Sequence, residues 1–206
     1  AEVDPNPFAR YEAMQELMYR SLIEGTRGGP ADFTAVINAM RGTLRSNALD
    51  PAFKGEALSL PSEGLIGDRM ELVDPDAIHR SREALRRAVG EELAGELAQA
   101  QSVTASGHDL SPAAKGVRRL KTVALWLLAG SDPVRGAALA KEQYDAADNM
   151  TDRQGALSVL TSLDGPERDE VFAQFYERSR DDSLVLDKWF ALQATSQRPD
   201  TIDIVE

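Results

Sequence analysis

Cysteine is absent from the 206-residue chain, and that removes disulfide frameworks, thiolate metal sites and cysteine nucleophiles together. A reducing compartment is compatible with such a composition. Histidine is nearly absent: His79 and His108 are the only two. A gluzincin-type zinc site needs two imidazoles one helical turn apart, a later Glu and an open position for water, and these two histidines are too far apart in sequence to begin an H-E-x-x-H run. Positive charge is in deficit, with 23 Lys plus Arg against 34 Asp plus Glu and a formal net charge of −11. That balance repels phosphate backbones and anionic membrane surfaces, so neither nucleic acid nor membrane is an expected partner. No apolar run approaches the length of a membrane span.

The opening residues Ala1-Glu2-Val3-Asp4-Pro5 lack the basic and apolar regions of a signal peptide. They also lack an initiating Met, so the chain is expected to be a piece excised from a longer protein, with processing as the alternative. Hydrophobic residues at 42% and charged residues at 28% are ordinary for a soluble globular protein. The length suffices for one sizeable core or one continuous array of helices.

What the chain does contain is a set of helix starts. Asp50-Pro51, Asp74-Pro75, Ser111-Pro112 and Asp132-Pro133 each place a side-chain acceptor before a proline, which has no N–H to leave unsatisfied and sits near helical φ. Gly165-Pro166 and Arg198-Pro199 are weaker starts, and Thr151 with Gln154 has the spacing of a capping box. Between the starts, apolar residues recur with helical period: Tyr11, Met14, Met18 and Leu22; Phe33, Val36, Ile37, Met40 and Leu44; Ile78, Leu85, Val89, Leu93 and Leu97. Val117, Leu120, Ala124, Leu127 and Leu128 continue the series, as do Val171, Phe172, Phe175 and Tyr176.

The pattern predicts helices over 7–26, 30–46, 51–58, 75–103, 112–130, 133–147, 151–163, 166–180 and 183–196 and no strands. Ser59 to Val73 is expected to be a loop with a short helical turn, and Ile202 to Glu206 the start of a further helix. Short connections predict antiparallel neighbours, hence an all-α fold. Periodicity alone leaves open whether the pairs stack as an α-solenoid or form an irregular bundle.

Each candidate chemistry-bearing motif has a plainer explanation. His79 has Glu83 one turn onward, but Arg80 and Arg82 would repel a cation, so His79 reads as a surface or satisfied structural residue. His108, between Gly107 and Asp109, reads as loop. Gly25-Thr26-Arg27-Gly28-Gly29-Pro30 lacks the phosphate-loop spacing and reads as a helix stop and turn. No G-x-S-x-G elbow occurs. Glu177 and Asp187 have no spacing that holds them across a cleft. Arg80, Arg82, Arg86 and Arg87, interleaved with Glu83, read as a solvated mixed-charge face in which Glu83 and Arg87 stand one turn apart. Trp126, Trp189 and Phe190 read as core, with Leu186, Trp189, Phe190 and Gln193 on one face.

Several ordered segments carry a resemblance. Pro7-Phe8-Ala9-Arg10-Tyr11-Glu12-Ala13, Asp50-Pro51-Ala52, Ala57-Leu58-Ser59-Leu60-Pro61-Ser62 and Val73-Asp74-Pro75 occur in order, followed by Glu142-Gln143-Tyr144-Asp145-Ala146-Ala147-Asp148-Asn149-Met150-Thr151-Asp152 and Asp187-Lys188-Trp189-Phe190. Together they resemble the C-terminal helical domain of the bacterial aminopeptidase N family, zinc metallopeptidases of the gluzincin group. The resemblance implies a single helical domain over 1–206, an ARM/HEAT-like superhelix of stacked antiparallel helix pairs truncated at its C-terminal end. It implies a cytoplasmic parent enzyme whose zinc, and whose removal of N-terminal residues from peptides, belong to an upstream thermolysin-like domain. The helical domain would close the zinc cleft into a chamber that admits short peptides and excludes folded chains. In that family further helices follow, and residues approaching substrate lie largely there. No catalytic, substrate-binding or metal-ligating residue is therefore assigned here, and no cofactor. A different class also stands open, a stand-alone α-solenoid that binds a protein or peptide in a concave groove.

Overall fold

The computed structural model describes residues 6–29 and 31–205, the side chain of Val205 excepted. Among the described residues the regular structure consists of twelve helices and no strand. They fall into two compact units, residues 1–105 with 109–131 and residues 106–108 with 132–206.

The first unit holds α1 (Pro7–Gly25), α2 (Thr34–Arg45), α3 (Pro51–Leu58), α4 (Glu63–Gly67), α5 (Pro75–Glu92), α6 (Ala94–Ser102) and α7 (Pro112–Ser131). Local chemistry fixes the starts. Asp50 accepts from the Phe53 N–H at 2.8 Å, Asp74 from Ala77 at 2.9 Å and Ser111 from Ala114 at 3.2 Å. Caps of this kind are each worth about 1 kcal/mol. Two boundaries differ from the periodicity. The stretch 30–46 begins its helix only at Thr34, because Asp32 accepts from the Thr34 N–H at 2.9 Å in a turn that precedes it; Pro30 lies outside the described residues. The stretch 75–103 is two helices, since Leu93 leaves helical geometry at φ −115° and ψ 18°. The bend lets α5 and α6 both lie against α7, and Leu93 and Leu97 stay fully buried through it. Ser59 to Val73 contains α4 as its helical turn.

α3 and α7 approach closely. A methyl group on Gly116 would stand 2.7 Å from the Ala52 nitrogen, and one on Gly55 would stand 3.1 Å from the Leu120 nitrogen. The matched order of these contacts means that α3 and α7 run in the same direction. Arg86 meets Trp126 and Gly90 meets Ser131 in the same ascending order on α5 and α7. Parallel non-consecutive helices separated by return helices are the arrangement of stacked helix pairs. Their shared core includes Met18, Leu22, Met40, Leu58, Leu85 and Leu125, so the predicted stripes face inward.

The second unit holds α8 (Pro133–Ala146), α9 (Met150–Leu160), α10 (Pro166–Ser179), α11 (Ser183–Ala194) and α12 (Thr201–Val205). Asp132 caps α8 through the Arg135 N–H at 3.0 Å. α9 starts differently from expectation: Asn149, not Thr151, is its cap. Asn149 Oδ1 accepts from the Asp152 N–H at 2.9 Å while its Nδ2 donates to Asp152 Oδ2 at 2.8 Å. That reciprocal pair satisfies more polar atoms than a threonine hydroxyl at 151 could. Gln143 closes the α8–α9 hairpin by donating to the Asp152 carbonyl at 3.0 Å. Lys141 pairs with Glu170 at 3.0 Å and Arg178 lies over the Tyr144 ring, so α8 and α10 also run in one direction. Val171, Phe172 and Phe175 are buried as their spacing predicts, but Tyr176 is 38% exposed.

Candidate functional site

The residues that could carry chemistry are dispersed. Within the first unit, His79 Nδ1 lies 2.8 Å from Glu63 Oε1 at the start of α4 and does not turn to Glu83. One imidazole and one carboxylate leave a zinc ion short of the three protein ligands it requires. Among the described residues no group of three or more His, Cys, Asp or Glu could hold a metal. Among the described residues this donor set does not fit a zinc ion. His108 is exposed in the α6–α7 loop within the second unit. Of the glycine-rich stretch, Gly25 ends α1 and residues 26–29 turn away from it, with Gly28 at φ 85°, while Pro30 lies outside the described residues. Glu177 pairs with Arg180, the residue that caps the end of its helix, at 3.2 Å, and Asp187 is exposed.

The arginine run of α5 departs from the solvated face its composition predicts. Arg80 and Arg87 are exposed, while Arg86 is buried and Arg82 half-buried. Positions 82 and 86 are one turn apart and point together onto Trp126 of α7. Their guanidinium carbons lie 5.0 and 4.3 Å from the ring centroid. Arg86 donates to the Trp126 carbonyl at 3.1 Å and to Glu83 at 2.9 Å, and Arg82 donates to the Pro61 carbonyl at 3.0 Å. Glu83 is thus the partner of Arg86 and not of Arg87. Burial pushes both guanidinium groups below their ordinary pKa, and the cation–π stack, the carbonyls and Glu83 offset that desolvation. Trp126 is half-buried beneath this lid of arginines, not enclosed in the apolar core.

α11 gives a second correction. Trp189 is half-buried and donates from Nε1 to the Phe172 carbonyl at 3.0 Å, with Tyr176 5.2 Å away ring to ring. Phe190 is 54% exposed. Of the four residues assigned to one face, Gln193 is buried, Leu186 and Trp189 are partly so, and Phe190 points outward.

Concavities among the described residues gather further side chains, and two of them lie each within one unit. In the first unit a cavity of about 430 Å³ is lined by Leu44, Lys54, Glu96, Ala100, Val117 and Leu120 among others. Lys54 donates to the Leu44 carbonyl at 2.9 Å, and burial lowers its pKa. Arg45 closes one side through a 2.6 Å ion pair to Glu96. The chemistry is mixed apolar and polar, suited to holding a side chain and without a nucleophile and base in register. In the second unit a smaller cavity of about 190 Å³ lies among α8, α9, α10 and α11, with Tyr144, Arg153 and Arg178 in its lining. Tyr144 lies in the run from Glu142 to Asp152 that carries the family resemblance, but its meeting with Arg153 and Arg178 could not be read there, because the helices bring together positions far apart in sequence.

Comparison with known proteins gives a consistent match. The family model described as "Domain of unknown function (DUF3458_C) ARM repeats" matches residues 1–206, in agreement with the all-α, solenoid-type architecture. Aminopeptidase N of Escherichia coli is 33% identical over 210 residues, an alignment covering 97% of this chain and 24% of that protein. Aminopeptidase N of Caulobacter vibrioides is 31% identical, covering 98% of this chain and 24% of its own length. The chain thus spans about a quarter of the length of these curated relatives. The crystal structure of Legionella pneumophila aminopeptidase A in complex with aspartic acid superposes with a TM-score of 0.83 at 23% identity, covering 98% of this chain and 25% of that one. That likeness is one of fold.

Proposed function

Because the chain belongs to the DUF3458_C family of ARM-repeat domains, we propose that it serves as the non-catalytic helical part of a larger zinc aminopeptidase. The observation that carries this is the end-to-end match of the chain to only 24% of aminopeptidase N. The zinc and the hydrolysis belong, in this reading, to a catalytic domain upstream in the same polypeptide, which is the principal partner. The stacked helices cover its cleft and gate entry, admitting peptides with free N-termini and turning away folded chains. A cytoplasmic location goes with this reading, and a chain without cysteine is compatible with it.

The open reading frame that encodes the chain provides the test. We expect H-E-x-x-H and a downstream Glu to be encoded before Ala1. A frame without them removes the proposal and leaves a stand-alone scaffold. Purified chain is expected to release no product from aminoacyl-arylamides with or without added zinc, and zinc-dependent turnover would overturn the assignment.

A further inference from the structure

The second unit contains a cavity whose chemistry no part of the gating role uses. Its walls come from Tyr144 of α8, Met150 and Arg153 of α9, Phe175, Arg178 and Ser179 of α10, and Asp182 and Val185 at the start of α11. Two polar groups there lack the partners that buried groups normally have, and a third stands charged at the rim. Tyr144 is 1% exposed and its hydroxyl makes no hydrogen bond. Arg153 spends one nitrogen on the Ala147 carbonyl at 2.7 Å, but its Nε is buried without a partner. Arg178 is exposed at the rim, with its guanidinium carbon 5.9 Å from the Tyr144 ring centroid. A buried donor left unmade costs about 1–3 kcal/mol, so orphans of this kind are rare unless something completes them.

The local charge is the reverse of the molecule's. The chain carries −11 overall, whereas this cavity gathers two guanidinium groups against one carboxylate. That carboxylate, Asp182, is occupied in capping α11, accepting from Leu184 and Val185 at 3.1 and 3.3 Å. Asp145, the other acidic group felt by Tyr144, is paired with Lys141 at 2.8 Å. Burial raises the Tyr144 pKa, so the phenol keeps its proton at neutral pH and acts as a donor. Met150, Phe175 and Val185 supply apolar walls beside the donors.

We propose that this cavity is a carboxylate-binding site, taking a carboxylate joined to a short apolar group, with Arg178 at the rim as its ionic partner and Tyr144 and Arg153 at the floor as hydrogen-bond donors. About 190 Å³ accommodates a group the size of one amino-acid residue. A guanidinium and a phenol converging on two oxygens favour a planar anion over a neutral amide. The site stands independently of the gating role, since it depends only on residues of the second unit.

Butyrate is the probe, with butyramide of the same shape and chloride at the same ionic strength as controls. Titration into the 206-residue chain is followed by NMR through the Met150 methyl and the arginine Nε–H signals. Butyrate is expected to give a saturable shift with a dissociation constant of about 1 mM, and the controls none. Arg178→Met, at an exposed position where folding is not at stake, is expected to weaken binding at least about tenfold. Tyr144→Phe should weaken it about tenfold, the effect of one hydrogen bond to a charged group. Equal response to butyramide or chloride, unchanged affinity in Arg178→Met, or no saturation overturns the proposal. A Tyr144→Phe chain that melts higher and binds butyrate undiminished also overturns it, because the phenol would then be only a buried defect. A comparison of N-acetyl-dialanine with its C-terminal amide identifies the source: tighter binding of the acid than of butyrate points to a peptide terminus, and weaker binding to a free small acid.

Discussion

The guanidinium of Arg86 lies 4.3 Å from the centroid of the Trp126 ring while its Nε donates to the carbonyl oxygen of the same residue at 3.1 Å. One side chain thereby links α5 to both the backbone and the aromatic face of α7. Its removal takes from Glu83 its only hydrogen-bonded cation at 2.9 Å and leaves it the longer 3.6 Å contact with Arg82, while Oε1 is already buried without a hydrogen bond. Arg86→Met is therefore expected to lower stability by about 3 kcal/mol, measured as the shift in urea midpoint at constant slope. Arg86→Lys should rescue little of it, since an ammonium has neither the planar stack nor the fork that reaches carbonyl and carboxylate together. Full rescue by Lys would show that charge alone matters there.

The approach of α3 to α7 rests on Gly116, where an added methyl would stand 2.7 Å from the Ala52 nitrogen and 2.8 Å from the Ala52 Cβ. Backbone on the far side cannot step away without opening the helix pair. Gly116→Ala is expected to cost about 2 kcal/mol by overpacking. Gly95 in α6 has nothing within 4 Å of the same position, so Gly95→Ala should instead stabilise by about 0.5 kcal/mol through helix propensity. Opposite signs in the two melting temperatures check the account.

The elements that sequence reveals are those written in nearest-neighbour chemistry. Asp50, Asp74, Ser111 and Asp132 before prolines mark their helices because the cap and the missing N–H act locally. Leu93 could not be recognised as a bend, since it lies on the same apolar stripe as Val89 and Leu97 and stays buried on both sides of the break. Only the presence of α7 beneath both halves makes the bend favourable. Arg82 and Arg86 look like surface charge until Trp126 and the Pro61 carbonyl, from distant segments, come to meet them. The carboxylate cavity was illegible for the same reason: Tyr144, Arg153, Arg178 and Asp182 converge from four helices. The aminopeptidase N likeness was legible because it consists of contiguous runs such as Asn149-Met150-Thr151-Asp152, whose cap is made within four residues.

Adjacent residues of α11 should respond oppositely to truncation. Trp189 donates to the Phe172 carbonyl at 3.0 Å and touches the rings of Tyr176 and Phe190, so Trp189→Ala is expected to cost about 3 kcal/mol. Phe190 is 54% exposed, and Phe190→Ser should change stability by no more than about 0.5 kcal/mol. Urea unfolding of both variants distinguishes this from a face on which the two rings are equally buried, which would make both costly.

Acid should unfold the chain through carboxylates that accept hydrogen bonds at or near its surface. Hydrogen bonds from Asn149 and from the Gly107 N–H hold Asp148 below its ordinary pKa. Arg198 does the same for Asp200, and Arg69 followed by Arg20 for Glu16. A folded-state pKa below the unfolded one means that the unfolded chain binds more protons as pH falls, so the stabilisation is complete above the unfolded values and is lost through the folded ones. The melting temperature is expected to be insensitive to these groups above about pH 5.5 and to fall steeply below about pH 4. Asp148→Asn removes one of the depressed groups, and with it one share of the proton uptake. Its melting temperature should therefore decline less steeply between about pH 4 and pH 2.5 than that of the unaltered chain, even though it starts from a lower value at neutral pH. An equal or steeper decline in Asp148→Asn would mean that the Gly107–Asp148 link does not carry the acid sensitivity, and that the arginine-paired carboxylates carry it instead.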